Sequence, residues 1–351
     1  MSETTRQHES RWPHRWAVLL VCATFPLIWI GGLVTTYKAG MAVPDWPTTY
    51  GDNMFTYSWA NWVASAFNGA WDLFIEHGHR LMGSLVGFIA IGFVVSTFIG
   101  EKRNWVRGGA VLALVLVIVQ GVLGGARVLM DRQTIALIHG CVGPLFFAYA
   151  IGMAVVTSKL WKESDGSDEL QDGGRLKRIA IATFSLACVQ LVLGANLRHL
   201  HVNTASSTFM LALAFHIIIA LVLTGHIAMV CWTIFRKHRG NRKLLVPGIA
   251  LATLIVIQLV LGGGSWIVKY GWPNFAIDWK IASGYTVIAN SLQQGLTVTA
   301  HVAVGSLILG TAMLVMMRSL RLSGLVVTNA GDSKSSEAEP GSTTLMTGLV
   351  A

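Results

Sequence analysis

Residues 110–126, AVLALVLVIVQGVLGGA, form an apolar run that contains no charged side chain. A helix that crosses a bilayer needs about 20 predominantly apolar residues. Runs of this kind recur along the chain and predict eight transmembrane helices, at residues 16–36, 74–99, 106–126, 135–158, 178–196, 207–235, 245–268 and 292–317. The runs lack the alternation of a membrane β-barrel. The predicted fold class is therefore an all-α membrane protein.

The composition and the distribution of charge agree with a lipid environment. Hydrophobic residues make up 53% of the 351 residues and charged residues only 12%, about half the share in a typical soluble domain. The net charge is +9, but the basic residues lie between the apolar runs and form no patch for a nucleic acid. Most of the 26 lysines and arginines fall in the two tails and the even-numbered loops, which predicts that both termini are cytoplasmic.

A short motif recurs at the predicted outer ends of the odd-numbered helices. It reads QGVLGG at residues 120–125, QLVLGA at 190–195 and QLVLGG at 258–263, with a degenerate copy, LIWIGG, at 27–32. A spacing of about seventy residues, one helix pair, indicates an internal repeat. Small residues alone would serve close helix packing, but a glutamine in lipid needs a further reason.

The repeat predicts two pseudo-symmetric four-helix bundles. The first half covers residues 16–158 and the second half covers residues 178–317, joined by a cytoplasmic linker at 159–177. Residues 1–15 form a cytoplasmic N-terminal tail. Residues 318–351, rich in Ser, Gly and Thr towards their end, are predicted to form a disordered cytoplasmic tail.

Four of the eleven histidines occupy matched positions near the outer ends of even-numbered helices: His79, His139, His216 and His301. An ionisable residue inside a membrane is costly and usually functional, although any single histidine could form an interhelical hydrogen bond. Each is followed four positions later by a small residue, which we interpret as a flat patch for a porphyrin: Gly83, Gly143, Ala220 and Gly305. Haem iron accepts axial histidines, so we predict two haem sites, His79 with His139 and His216 with His301.

The two predicted sites differ in one carboxylate. Glu76 precedes His79 by three residues, whereas Ala136, Leu213 and Val298 occupy the equivalent positions. A buried carboxylate could stabilise positive charge on a substrate or move protons, which places chemistry in the first half. A helix cap or a salt bridge to Arg80 is the alternative.

Five basic residues lie at the depth where haem propionates would emerge: Arg80, Arg127, Arg132, Arg198 and Lys269. Arginine suits bidentate contacts with carboxylates. Ordinary snorkelling of long basic side chains to the interface is the alternative for about half of them.

These residues carry a resemblance to a known family. The segment EHGHR at residues 76–80 resembles the Glu-x-x-His-Arg signature of haem A synthases, and His139, His216 and His301 resemble the other haem ligands of that family. The glycines at 31–32, followed by Asp45 and Trp46, are also similar, and the resemblance spans roughly residues 16–317.

The resemblance implies an oxidoreductase that oxidises the C8 methyl group of haem O to a formyl group, giving haem A for terminal oxidases. Glu76 would be catalytic beside a substrate haem between His79 and His139, and a haem b would lie between His216 and His301. The propionates would be bound by the arginines Arg80, Arg127 and Arg198. The implied partners are a haem O synthase and the assembly machinery of a terminal oxidase, with a homo-oligomer as one option. The expected location is a bacterial cell membrane rather than a mitochondrion.

The sequence departs from the family in its first outer loop. Some members carry a cysteine pair there, whereas residues 37–71 contain no cysteine. Two other functions use the same histidines: a non-enzymatic membrane cytochrome b in quinol electron transfer, and a haem transporter or chaperone. A cytochrome b would leave Glu76 in one half unexplained, and many such cytochromes place haems on both sides of the membrane.

Overall fold

The computed structural model describes residues 10–163, 173–201, 203–279 and 286–323. Its regular secondary structure in these ranges is helical throughout, with ten α-helices: α1 (Trp12–Thr36), α2 (Trp59–Ser65), α3 (Trp71–Gly100), α4 (Asn104–Met130), α5 (Gln133–Val156), α6 (Lys159–Glu163), α7 (Gly173–Arg198), α8 (Ser206–Lys237), α9 (Arg242–Tyr270) and α10 (Leu292–Leu322). Eight of the described helices, all except α2 and α6, are long and apolar enough to cross a membrane. The predicted fold class is confirmed, while the pseudo-symmetry and the cytoplasmic termini stay predictions.

Several helices are longer than their apolar runs. Helix α1 begins at Trp12 and α10 continues to Leu322, five residues past the predicted span and into the predicted C-terminal tail. Helical hydrogen bonding does not stop where the hydrocarbon ends, so polar residues such as Arg318 and Arg321 continue the helix into the interface. The predicted disorder from residue 324 onwards lies outside the described residues, as do residues 164–172 of the predicted linker.

The long helices form two groups that share one contact region. We call α1, α3, α4 and α5 the first half, and α7, α8, α9 and α10 the second half. Within each half, consecutive helices pack side by side, and the halves meet where α10 packs on α1 and α5 and where α5 packs on α7. Lipid supplies no hydrophobic driving force between helices, so this contact depends on close packing and hydrogen bonds.

Each half is packed most tightly away from its histidines. The first core cluster contains Leu20, Phe93 and Val106, and the second contains Leu176 and Leu244. In α8 the buried side chains begin at residue 223, about two turns beyond its histidine at 216. We call the histidine-bearing end, next to the loop at residues 37–70, the outer end. In the second half, α8 is therefore packed closely at the inner end and is more exposed around His216, whereas the first half has a further buried cluster at its outer end, formed by Val34, Ala39 and Ile75.

The loop at residues 37–70, which we call the outer loop, is attached to three long helices. Trp62, in α2, donates from its indole N–H to the Phe74 carbonyl oxygen of α3 at 3.0 Å. The Trp46 indole packs against Gly125 of α4 so closely that a Cβ atom there would overlap it, and Tyr37 packs in the same way against Gly295 of α10. The outer loop therefore has a defined position over the outer end.

Candidate functional site

The structure brings the four singled-out histidines together in two pairs. The imidazole centres of His79 and His139 are 6.4 Å apart, with ring planes at 85°. Those of His216 and His301 are also 6.4 Å apart, with ring planes at 67°. The first pair lies between α3 and α5, and the second lies between α8 and α10. These are the pairings that the sequence predicts.

Every one of these imidazoles lies against a glycine of the preceding long helix. A Cβ atom added to Gly31 would come within 2.9 Å of the Cε1 atom of His79. The corresponding distances at the other three contacts are 3.4 Å for Gly124 and His139, 3.1 Å for Gly194 and His216, and 3.2 Å for Gly262 and His301. The glycines occupy the same position in each copy of the repeated motif. The recurrence of glycine at this position has a steric reason, since a Cβ atom would crowd the imidazole at Gly31, Gly194 and Gly262 and would just touch it at Gly124.

The glutamines of the motif reach the helices that carry the histidines. Gln120 donates from Nε2 to the main-chain oxygen of His139 at 3.2 Å. Gln190 donates from Nε2 to the main-chain oxygen of His216 at 3.1 Å, and the same atom lies 3.0 Å from the imidazole Nδ1. The Nε2 atom of Gln258 lies 3.5 Å from Nε2 of His301. An amide in an apolar region needs such partners.

The glutamines also change the interpretation of two small residues. A Cβ atom at Gly143 would lie 3.2 Å from the Nε2 atom of Gln120, and one at Gly305 would lie at the same distance from that of Gln258. We interpreted these glycines as flat patches for a porphyrin. In the structure they instead give room to the glutamine amides of the neighbouring helix.

Glu76 is buried under the outer loop, and both of its carboxylate oxygens accept hydrogen bonds. Oε1 accepts from Nη2 of Arg80 at 2.8 Å, and Oε2 accepts from the main-chain N–H of Val43 at 3.0 Å. The side chain of Glu76 is only 4% exposed. The salt bridge that we considered as an alternative is present. The carboxylate therefore connects the helix that carries His79 to the outer loop.

Arg80 has its hydrogen bonds within the same loop. Its Nη1 atom donates to the carbonyl oxygens of Asp45 at 2.7 Å and Thr48 at 2.9 Å, and its Nη2 atom donates to that of Val43 at 2.9 Å. With the bond to Glu76, the guanidinium makes four hydrogen bonds. In the structure this side chain attaches the outer loop to α3, and the propionate contact of Arg80 stays a prediction.

Asp45 fixes the turn that receives Arg80. Its carboxylate oxygens accept the main-chain N–H groups of Tyr50 at 2.9 Å and Gly51 at 2.8 Å. Partial burial would raise the pKa of Asp45, but hydrogen bonds from the Thr48 side chain and from these two N–H groups outweigh it and lower the pKa to about 2. The carboxylate is therefore charged at any ordinary pH.

Sequence reasoning missed His77. Its side chain is fully buried, with Nδ1 3.1 Å from Oγ1 of Thr49. The ring lies beside Tyr57 and Trp62, at centre distances of 5.2 and 5.7 Å. Because His77 is two residues from His79, it projects from a different face of α3. It supports the outer loop, and the aromatic richness of that loop was the only sequence signal that could have indicated this role.

The remaining basic residues separate into inward and exposed positions. Nη2 of Arg198 donates to the Gly32 carbonyl oxygen and to Oγ1 of Thr36, each at 2.7 Å. The Arg127 guanidinium packs against Gly40 of the outer loop, where a Cβ atom would overlap it. Arg132 and Lys269 are exposed at helix ends, in agreement with snorkelling.

Comparison with known proteins identifies the family of this chain. Residues 14–275 match the COX15-CtaA family, described as cytochrome oxidase assembly protein. The chain is 26% identical over 260 residues to the heme A synthase of an Exiguobacterium species, covering 70% of this chain and 80% of the relative. It is 24% identical over 252 residues to that of Halalkalibacterium halodurans, covering 66% of this chain and 79% of the relative.

His301 lies beyond the residues that match the family, 14–275, so its assignment as a haem ligand depends on its pairing with His216. Because the match covers well over half of the chain, this protein belongs to the haem A synthase family, COX15-CtaA, of cytochrome oxidase assembly proteins.

Proposed function

We propose that this protein oxidises the C8 methyl group of haem O to a formyl group and so makes haem A for a terminal oxidase. The observation that carries the proposal is the asymmetry between two otherwise matched histidine pairs. Both pairs have the same 6.4 Å separation, but within the described part of the chain only the first has a buried carboxylate, Glu76, one turn away on the same helix face. Because the ligands are matched and the carboxylate is beside the first pair, we infer a reactive haem in the first site and a permanent haem in the second.

The geometry of both pairs fits a haem iron. A metal ion about 2 Å from one nitrogen of each imidazole would hold the two ring centres about 6 to 6.5 Å apart, as found here. Nδ1 of His79, His139 and His301 is buried and, within the described residues, has no hydrogen-bond partner. When bound, the haem iron supplies the redox chemistry.

In the first site, the chain's own residues hold the substrate and control charge around it. His79 and His139 bind the haem from α3 and α5. Glu76 keeps a carboxylate beside them, where it stabilises positive charge that develops on the substrate or accepts a proton. Arg80 holds this carboxylate in place, and the outer loop over Glu76 limits the access of water.

In the second site, His216 and His301 hold haem b, which serves as a structural group or an electron carrier. Arg127 and Arg198 are the basic residues best placed for propionates. Among the described residues, the guanidinium of Arg127 has no hydrogen-bond partner and packs against Gly40, so it is available to a carboxylate. Arg198 already binds Gly32 and Thr36 but has further donors.

The cellular setting follows from the same proposal. Both relatives are bacterial proteins, and the eight apolar helices suit a multi-pass protein of the bacterial cell membrane. A haem O synthase would supply the substrate, and the assembly machinery of a terminal oxidase would receive the product. Self-association into a homo-oligomer stays an open expectation.

Chromatography of the extracted haems tests the proposal. The protein is purified after co-expression with a haem O synthase, and we expect haem A or hydroxylated haem O together with haem b. His79→Ala should lose the haem O derivatives and keep haem b, and His216→Ala should lose haem b. Haem b alone, with haem O present in the membranes, would overturn the proposal and favour a non-enzymatic cytochrome b.

A further inference from the structure

A buried hydroxyl near the second histidine pair has no hydrogen-bond partner. Oγ of Ser265, in α9, is buried and, among the described residues, neither donates nor accepts a hydrogen bond. Hydroxyls inside helices commonly donate to the carbonyl oxygen four residues earlier, as those of Thr224 in α8 and Ser306 in α10 do at 2.7 and 2.9 Å. In the part of the chain that the structure describes, the other buried hydroxyl without a partner is that of Ser319, at the inner end of α10. Ser265 therefore offers a free donor towards the outer end.

Ser265 lies one turn outward from the contact between α9 and His301. The imidazole of His301 lies against Gly262, where an added Cβ atom would be 3.2 Å from its Cε1 atom. Ser265 follows Gly262 by three residues, so it lies on the same helix face and about 4.5 Å nearer the outer end. A carboxylate is costly within the apolar part of a membrane, so the propionates of a haem held by His301 point towards this end. The free hydroxyl is therefore on the side of the second site where the propionates lie.

The corresponding position of the first half is occupied by an arginine. Arg127 follows Gly124 by three residues, as Ser265 follows Gly262, and Gly124 lies against the imidazole of His139. The guanidinium of Arg127 also has no hydrogen-bond partner among the described residues. Two donors without an acceptor therefore occupy the same place in two copies of the repeated motif. This shared place indicates a shared kind of acceptor, and the carboxylates of a haem are common to both proposed sites.

We propose that Ser265 binds a propionate of haem b by donating a hydrogen bond from Oγ. A buried carboxylate needs hydrogen-bond donors, and this hydroxyl can supply one without breaking a bond inside the protein. The inference rests on the second haem site of the proposed function and adds a neutral donor from α9 to the charged donor Arg198 from α7. The two sites then differ at this position, because haem b meets a hydroxyl where the substrate haem meets the guanidinium of Arg127.

Haem release and resonance Raman spectroscopy test this contact in the His79→Ala background, which is expected to keep only the second haem. Ser265→Ala removes the hydroxyl. We expect release of haem b to an excess of an apo-globin to become about 10-fold faster or more, together with a shift of the propionate bending band. Ser265→Thr keeps a hydroxyl and should restore both measurements. Ser306→Ala removes a hydroxyl that is already bonded to the Val302 carbonyl oxygen, so as the matched control it should change neither.

Two results for Ser265→Ala would overturn the contact. Unchanged release with an unchanged propionate band would show that the hydroxyl binds no more than a water molecule. Faster release with an unshifted band would show that the substitution loosens α9 without touching the propionate. Absence of haem b from the wild-type protein would instead contradict the second haem site of the proposed function.

Discussion

Nη2 of Arg198 lies 2.7 Å from the carbonyl oxygen of Gly32, so the outer end of α7 is hydrogen bonded to the outer end of α1. The same atom donates to Oγ1 of Thr36, which lies 3.3 Å from the hydroxyl of Thr299 in α10. Gly32 also packs tightly against Thr299. Arg198 therefore connects three helices from both halves. The contact in α10, Thr299, lies two residues before His301.

Arg198→Met should weaken the contact between the two halves. Hydrogen bonds from a charged donor contribute about 1.5–3 kcal/mol each, so losing both should lower the stability by about 3–6 kcal/mol. The measurement is the midpoint of thermal unfolding in detergent, compared with Lys269→Met at an exposed helix end. Equal midpoints for the two variants would contradict the connecting role of Arg198.

Glu76→Gln should abolish most of the turnover and leave the haems bound. Loss of a proton-transferring or charge-stabilising carboxylate costs about 100-fold or more in rate, while glutamine can still contact Arg80 and Val43. Glu76→Ala is a poorer test because it leaves the buried guanidinium of Arg80 without its ionic partner, which costs about 3–5 kcal/mol.

The rate of haem O conversion and the haem content are measured together for this variant. Wild-type turnover in Glu76→Gln would refute the catalytic assignment and leave Glu76 as an attachment of the outer loop only.

Gly262→Ala should disturb the second haem site, and Gly263→Ala should not. A Cβ atom at Gly262 would lie 3.2 Å from the Cε1 atom of His301, whereas at Gly263 it would meet no atom within 4 Å. The first substitution forces the imidazole to move or rotate, so we expect reduced haem b content and a changed low-spin spectrum. Similar spectra for the two neighbouring variants would show that the glycine contact does not position His301.

The outer loop should detach in acid as Asp45 is protonated. Its pKa is lowered from 3.8 to about 2 in the folded protein, so its stabilising effect is complete above about pH 4 and is lost as the pH falls towards 2. Tryptophan fluorescence and protease cleavage of the loop report this change. Glu101, at the inner end of α3, also has a pKa lowered to about 2, with burial opposed by hydrogen bonds from Arg103.

The variant Asp45→Asn distinguishes the effect of Asp45 from that of Glu101, because its outer loop should be loosened already at neutral pH. A wild-type response to acid in this variant would assign the transition to Glu101.

The helices and the histidine pairs could be predicted from the sequence because their signals are local. An apolar run such as 110–126 is long enough by itself to indicate a span, and matched depths on alternate helices suffice to pair His79 with His139. The roles of Arg80 and His77 depend on Val43, Thr48 and Thr49, more than 25 residues away in the chain. Loop contacts at such separation have no periodicity that would reveal them.

The role of the glutamines could be predicted only in part. Their recurrence, and the cost of an amide in lipid, showed that Gln120, Gln190 and Gln258 need partners. The partner could not be deduced, because it depends on the rotation of one helix against its neighbour. The glutamine neighbours of Gly143 and Gly305 could not be deduced for the same reason, since the sequence does not show which neighbour each helix face meets.

The four glycine–histidine contacts limit how such chains can change in length during evolution. One residue inserted into a helix turns everything beyond it by about 100° and moves it by about 1.5 Å. An insertion in α8 between residue 206 and His216 preserves the contact between Gly194 and His216 only if the segment that connects α7 to α8 takes up the extra residue. An insertion between Gly194 and the end of α7 leaves that contact in place. Insertions and deletions among relatives should therefore accumulate in the outer loop and in the segment at residues 199–205, and should be rare between the packed inner ends and the histidines.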